Sequence, residues 1–222
     1  MIGKPLSCVE INPQTSPVGS IIWLHGLGAD GNDFVPLVPE LRLPSTLPLR
    51  FVFPHAPQIP VTINNRYVMP AWYDILSLTT ERHVDHSGID ASVKKIHGLI
   101  EQEIDRGIPA EKIMLAGFSQ GAVIALTTAL TYPERLAGVV ALSGYLPNMD
   151  LVMQYASSTN QSLPIFIAHG TDDTVVPFIL GQRVYHFLQQ KNYPVEWHNY
   201  PMAHSVCAEE IIAISTFIQK IF

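Results

Sequence analysis

The chain has 222 residues, 47% of them hydrophobic and 14% charged, with a formal net charge of −6. The charged share lies well below the roughly 25% of an average globular protein, which excludes a disordered chain, and the lack of any Lys or Arg cluster argues against a nucleic-acid partner. Cys8 and Cys207 make no disulfide framework in a chain of this length. Met1 to Ser7 lacks the apolar core of a signal peptide, and no run approaches the ~20 apolar residues of a membrane helix, so the expectation is one cytoplasmic domain over residues 1–222.

Short apolar runs alternate with amphipathic stretches along the whole chain, and Gly, Pro and Asn cluster between them. That alternation predicts an α/β fold with a mostly parallel central sheet and helices on both faces. Strands are predicted at Ser20 to Leu24, Leu49 to Phe53, Lys112 to Ala116, Leu136 to Leu142, Pro164 to Ala168 and Val195 to Tyr200, with a weaker one at Cys8 to Ile11. The middle four are nearly continuous apolar runs, the pattern of strands covered on both faces. A helix after Ser87 carries Ile89, Val93, Ile96, Ile100 and Ile104 as one buried stripe and stops at Gly107. Further helices are predicted over Gln120 to Thr131, Phe178 to Gln190 and Cys207 to Lys220, and one over Asn32 to Leu41 that Pro36 and Pro39 interrupt. The stretch from Pro54 to His86 fits neither period. Its Tyr67, Trp72, Tyr73, Ile75, Leu76 and Leu78 argue against disorder, and loops of such length tend to be functional.

Gly117-Phe118-Ser119-Gln120-Gly121 follows a predicted strand and precedes a predicted helix, the context in which G-x-S-x-G presents a nucleophile. Glycine two residues either side removes a Cβ from a tight turn, and the turn pushes the Ser119 hydroxyl out beyond the strand, where the helix N-terminus points its N–H groups. A serine hydroxyl needs a base, and the base needs an orienting carboxylate. His204 follows the last strand and precedes the last helix, which is the base position. His25 and His169 each end a strand before a glycine and suit structural hydrogen bonding instead. Asp172 and Asp173, after the strand ending at Ala168, both suit the carboxylate on chemistry alone. The oxyanion hole calls for two backbone N–H groups, one from Gln120 and one from the loop His25-Gly26-Leu27-Gly28-Ala29-Asp30-Gly31.

The blocks Leu24-His25-Gly26-Leu27-Gly28-Ala29-Asp30-Gly31, Pro54-His55-Ala56-Pro57, Ala71-Trp72-Tyr73-Asp74, Gly117-Phe118-Ser119-Gln120-Gly121, His169-Gly170-x-x-Asp173-x-Val175-Val176-Pro177 and Met202-x-His204 occur in order over nearly the whole chain. In these the sequence resembles the small carboxylesterase and acyl-protein thioesterase family of α/β-hydrolases. The resemblance implies an α/β-hydrolase fold without a large cap domain, Asp173 as the carboxylate, and the Leu27 and Gln120 N–H groups as oxyanion donors. It implies that the 54–86 excursion walls the acyl site near Trp72, with Leu27 and Val176 as further candidate substrate contacts; on the residues alone Trp72 suits the core equally well. Thr174 and Ala203 depart from the family's usual Pro and Gly and bear on loop shape. The expected activity is hydrolysis of esters, lysophospholipids or S-acylated protein with neither metal nor cofactor. Transient membrane-surface contact is compatible with that activity, as is either a monomer or a homodimer. A binding module on the same fold and an amidase or peptidase on the same triad are the alternatives.

Overall fold

A computed structural model of the protein describes residues 6–77 and 83–222; most of the N-terminal stretch Met1 to Ser7, and Leu78, lie outside the described residues. The strands are β1 (Cys8–Ile11), β2 (Gly19–Leu24), β3 (Leu49–Pro54), β4 (Gln58–Val61), β5 (Tyr67–Pro70), β6 (Ile113–Phe118), β7 (Gly138–Leu142), β8 (Ile165–Gly170) and β9 (Val195–Tyr200). Seven of them form one sheet in the order β1-β3-β2-β6-β7-β8-β9. Only β1 runs antiparallel to its neighbour.

The period of two along each strand sorts its side chains onto the two faces of the sheet. Ile22, Leu24, Leu115, Val139, Ala141 and Ile167 enter one core together with α2 (His86–Asp105), α3 (Gln120–Thr131) and α5 (Phe178–Gln190). Ile21, Trp23, Met114, Ala116, Val140 and Phe166 enter the other, beneath Phe34 and α6 (Ala208–Ile221). Because both faces are covered, β2, β7 and β8 are buried at every position, while β9, at the edge, is not. In α2 the stripe Ile89, Val93, Ile96 and Ile100 is buried as predicted, while Ile104, at the last turn, is only half-buried against the same core; Gly107, at φ 95°, follows the helix end.

Three local expectations change. The helix over Asn32 to Leu41 shrinks to the single turn α1 (Leu37–Glu40), with Pro36 at its N-cap and turns before it, as the prolines' missing N–H groups require. The strand expected from Leu136 begins only at Gly138, because the Leu136 N–H donates to Asn160 Oδ1 (3.0 Å) instead of a strand. The six-residue α4 (Met149–Gln154), capped by Asn148 Oδ1, had no periodic signal. The excursion is ordered around the hairpin β4–β5, whose tip places Asn65 and Arg66 at φ 54° and 59°. Asp74 ties the hairpin back by accepting from the Thr62 N–H (2.7 Å) and hydroxyl (2.6 Å). Among the described residues no helix is long and apolar enough to cross a membrane.

Candidate active site

Five parallel strands run the same way as β6, so the loops that follow β2, β6, β8 and β9 gather at one edge of the sheet. Ser119 sits at the turn from β6 into α3 with φ 55° and ψ −117°, a left-handed conformation that an L-residue adopts only under strain. Its N–H donates to Leu142 O of β7 (2.9 Å), which fixes the turn against the sheet. The flanking glycines are required by contact: a Cβ on Gly117 would fall on the Gly121 carbonyl, and one on Gly121 would lie 2.6 Å from His25 O. The side chain of Ser119 is left half-buried at the rim.

His204 arrives from the loop after β9. Pairing of Gly170 with Tyr200 brings the ends of β8 and β9 side by side, and the chain at Met202 and Ala203 then crosses so close above Gly170 that a Cβ there would strike both carbonyl oxygens. The Thr171 N–H donates to Tyr200 O (2.8 Å) and the Asp172 N–H to Met202 O (3.1 Å), locking the two loops together. Of the adjacent acids, Asp172 is exposed and Asp173 is buried. It is Asp173 Oδ2 that lies 2.7 Å from His204 Nδ1, while His204 Nε2 lies 2.9 Å from Ser119 Oγ. An ionised carboxylate only accepts, so the Nδ1 of His204 carries the proton and Nε2 is left to accept from the serine hydroxyl. The Phe118 ring lies 4.7 Å from the His204 ring and supports it from the side.

The other oxygen of Asp173, Oδ1, accepts from the Val175 and Val176 N–H groups at 2.9 and 2.8 Å. Burial by itself would push this carboxyl up. Hydrogen bonding from His169, His204 and the Val176 N–H overcomes burial and holds it well below the usual carboxylate range. His169, buried beneath it, donates from Nε2 to Val176 O (2.8 Å), and the same nitrogen lies 3.4 Å from Asp173 Oδ2. His25 is likewise a buried structural histidine. Its Nδ1 donates to Gly26 O (2.7 Å) and its Nε2 accepts from the Ala56 N–H (3.1 Å), and burial pushes its pKa down, keeping it neutral.

Among the described residues neither the Leu27 nor the Gln120 N–H has a hydrogen-bond partner. Leu27 is half-buried on the loop after β2, and Gln120 is the first residue of α3. The structure therefore brings together Ser119, Asp173, His204 and two loops with open donors. Trp72 and Val176, expected as substrate contacts, are 2% and 1% exposed, so neither side chain presents surface to a ligand here. Trp72 instead donates its indole N–H to His25 O (2.9 Å). Exposed apolar residues on the segment that carries Asp173 are Val175 and Ile179. Sequence reasoning passed over the side chain of Gln120, which accepts from the Trp72 N–H (2.8 Å) and donates to Tyr73 O (2.6 Å). The available signal was an amide opening an otherwise apolar helix.

A strained serine between two glycines, hydrogen-bonded through histidine to a buried carboxylate on a doubly covered parallel sheet, is the arrangement of an α/β-hydrolase. The model of the phospholipase/carboxylesterase family matches residues 7–222. The chain is 38% identical over 221 residues to acyl-protein thioesterase 1 of Yarrowia lipolytica, covering 97% of each chain. It is 39% identical over 209 residues to acyl-protein thioesterase 1 of Saccharomyces cerevisiae, covering 90% of this chain and 92% of that one. Among solved structures, acyl-protein thioesterase 2 of Zea mays superposes with a TM-score of 0.85 at 28% identity, over 96% of this chain and 98% of that chain. The chain belongs to the phospholipase/carboxylesterase family. It is a serine hydrolase of carboxylic esters or thioesters with an α/β-hydrolase fold.

Proposed function

We propose that the protein removes acyl groups from S-acylated protein or from simple esters, with Ser119 as nucleophile, His204 as general base and acid, and Asp173 orienting His204. The observation that carries this reading is the continuous chain of contacts from Ser119 Oγ to His204 Nε2 (2.9 Å) and from His204 Nδ1 to Asp173 Oδ2 (2.7 Å). His204 takes the Ser119 proton as the oxygen attacks the acyl carbonyl, and the Leu27 and Gln120 N–H groups receive the oxyanion. His204 then protonates the departing thiol or alcohol. Water attacks the acyl-enzyme, with His204 as base, and frees the acid. Exposed Val175 and Ile179, close in sequence to Asp173, offer apolar surface for an acyl chain, and the relatives' name supports a protein thioester as substrate. One family match spanning residues 7–222 supports a single domain acting as a whole; a cytoplasmic setting suits such a substrate.

The test compares wild type with Ser119→Ala on p-nitrophenyl esters from acetyl to palmitoyl, an S-palmitoyl peptide and the matching palmitoyl amide. Loss of ester and thioester turnover in the variant, with little amide turnover in either protein, is expected. Turnover that survives the substitution refutes the nucleophile, and amide hydrolysis at the ester rate would make the protein an amidase.

A further inference from the structure

The two proposed oxyanion donors lie on separate segments, Leu27 on the loop after β2 and Gln120 at the start of α3. A hole built from two segments works only if both are held in fixed relation, since a preorganised donor misplaced by an ångström loses much of its effect. Pairing of Leu24 with Gly117 and the close approach of Gly121 to the His25 carbonyl bring the two segments side by side. A third segment, residues 72–73 of the excursion, hydrogen-bonds to both and can fix their relative position.

The Gln120 carboxamide is 2% exposed and grips this segment at both polar ends, its Oε1 accepting from the Trp72 N–H (2.8 Å) and its Nε2 donating to Tyr73 O (2.6 Å). From the same residue, the Trp72 indole N–H reaches across to His25 O (2.9 Å), two residues before Leu27. The Trp72 ring packs 5.3 Å from the His25 ring, and the Ser92 hydroxyl of α2 donates to Trp72 O. His25 in turn is held at both ring nitrogens by Gly26 O and the Ala56 N–H, and the Gly28 N–H donates to Pro70 O (2.9 Å), two residues before Trp72. Apart from the Gly28–Pro70 bond, each link is buried, where water cannot replace a lost partner.

We infer that the Gln120 side chain and the Trp72 indole form a cross-brace that sets the spacing of the Leu27 and Gln120 N–H groups, making both residues positioning residues for the oxyanion. This deepens the proposed catalytic reading and rests on it. Any residue but proline at 120 supplies the second N–H; the inference explains why a glutamine, whose side chain is buried against residues 72–73, stands there. It also gives buried Trp72 a role that requires no contact with the acyl chain.

The test uses Gln120→Met, which keeps length and removes both hydrogen bonds, and Trp72→Phe, which keeps a ring and removes the indole N–H. Each purified full-length variant is examined by circular dichroism, by kcat and KM on p-nitrophenyl butyrate, and by affinity for octyl trifluoromethyl ketone. That ketone adds the Ser119 oxygen to its carbonyl carbon, passes the serine proton to His204 and places an oxyanion in the hole. The brace predicts kcat down by about 10- to 100-fold in each folded variant, against the 10²- to 10³-fold loss on removing a donor outright. KM stays within about twofold, and ketone affinity falls by the same factor as kcat, because only the tetrahedral state uses the hole. The double variant loses no more than the worse single one, since both break one brace. Native-like spectra with unchanged kcat and ketone affinity overturn the inference, as does a loss carried entirely by KM. If Gln120→Met does not fold, Trp72→Phe alone decides between these outcomes. Failure of the catalytic reading itself is separately visible, because Ser119→Ala would then retain turnover and ketone binding.

Discussion

Asp173 shows how one residue's surroundings dictate which substitution is informative. Its Oδ1 is fixed by two N–H donors, from Val175 and Val176, so an Asn at 173 has to keep its carbonyl oxygen there and turn its NH2 toward His204. The amide then donates to Nδ1, the imidazole proton moves to Nε2, and no acceptor faces the serine hydroxyl. Asp173→Asn is expected to lower kcat about 10⁴-fold with the fold intact, the loss that goes with the wrong tautomer in a serine triad. Exposed Asp172→Asn is expected to stay within about threefold of wild type, since surface substitutions change little. Steady-state kinetics on both variants decides, and a large loss at Asp172 would reassign the acid. On residues alone the two aspartates were equivalent; the family resemblance picked Asp173. The geometry separates the two: Asp172 is exposed, while Asp173 is buried and ringed by donors, a difference that adjacent acids in a sequence do not reveal.

At the scale of elements, α6 carries a buried acid that the mechanism does not use. Glu210 lies in its first turn, 0% exposed, and neither carboxylate oxygen has a hydrogen-bond partner. Burial pushes its pKa up from 4.5 to about 8. The folded protein therefore holds a proton there that the unfolded chain releases near its ordinary 4.5. The favourable contribution is complete below that value and is lost as pH rises through about 8. Thermal unfolding of wild type beside Glu210→Gln should show the variant gaining in relative stability from pH 5 to pH 9; a constant difference would show that Glu210 is not protonated in the fold. The elements themselves were largely legible, because a sheet covered on both faces writes itself as apolar runs and α2 as a regular stripe. What escaped was structure held by side chains: β7 is shortened by Asn160 and the β4–β5 hairpin is anchored by Asp74. Such contacts span 24 and 12 residues and leave no periodic trace.

For the whole molecule, the two ends of the sheet serve different purposes. The end where β3 begins is tied by ions: Arg50 pairs with buried Glu103 (3.1 Å), and Arg106 bridges Glu103 (2.9 Å) and Glu10 (2.8 Å), joining β1, β3 and α2. The opposite end carries Ser119, His204 and Asp173 on three separate loops. Motif order along the chain foretold that gathering, because parallel strands deliver every following loop to one edge. In the second tier, His169 was legible as a structural hydrogen-bonding residue, but Gln120 was read for its backbone N–H and Trp72 for the acyl wall, and the bonds their side chains make to distant backbone leave no mark in the sequence. Ser119 itself sets the two ends against each other. Its φ of 55° and ψ of −117° suit glycine, and strain of this kind costs about 1–3 kcal/mol, partly offset by glycine's greater freedom when unfolded. Ser119→Gly should accordingly melt about 2–4 °C above Ser119→Ala in a scanning experiment, at an expected net gain of about 1 kcal/mol. Equal melting points would mean the turn stores no strain. A laboratory evolution campaign that rewards heat resistance alone would thus be drawn toward glycine at 119, and only a screen that demands turnover in every round would keep the serine proposed as nucleophile.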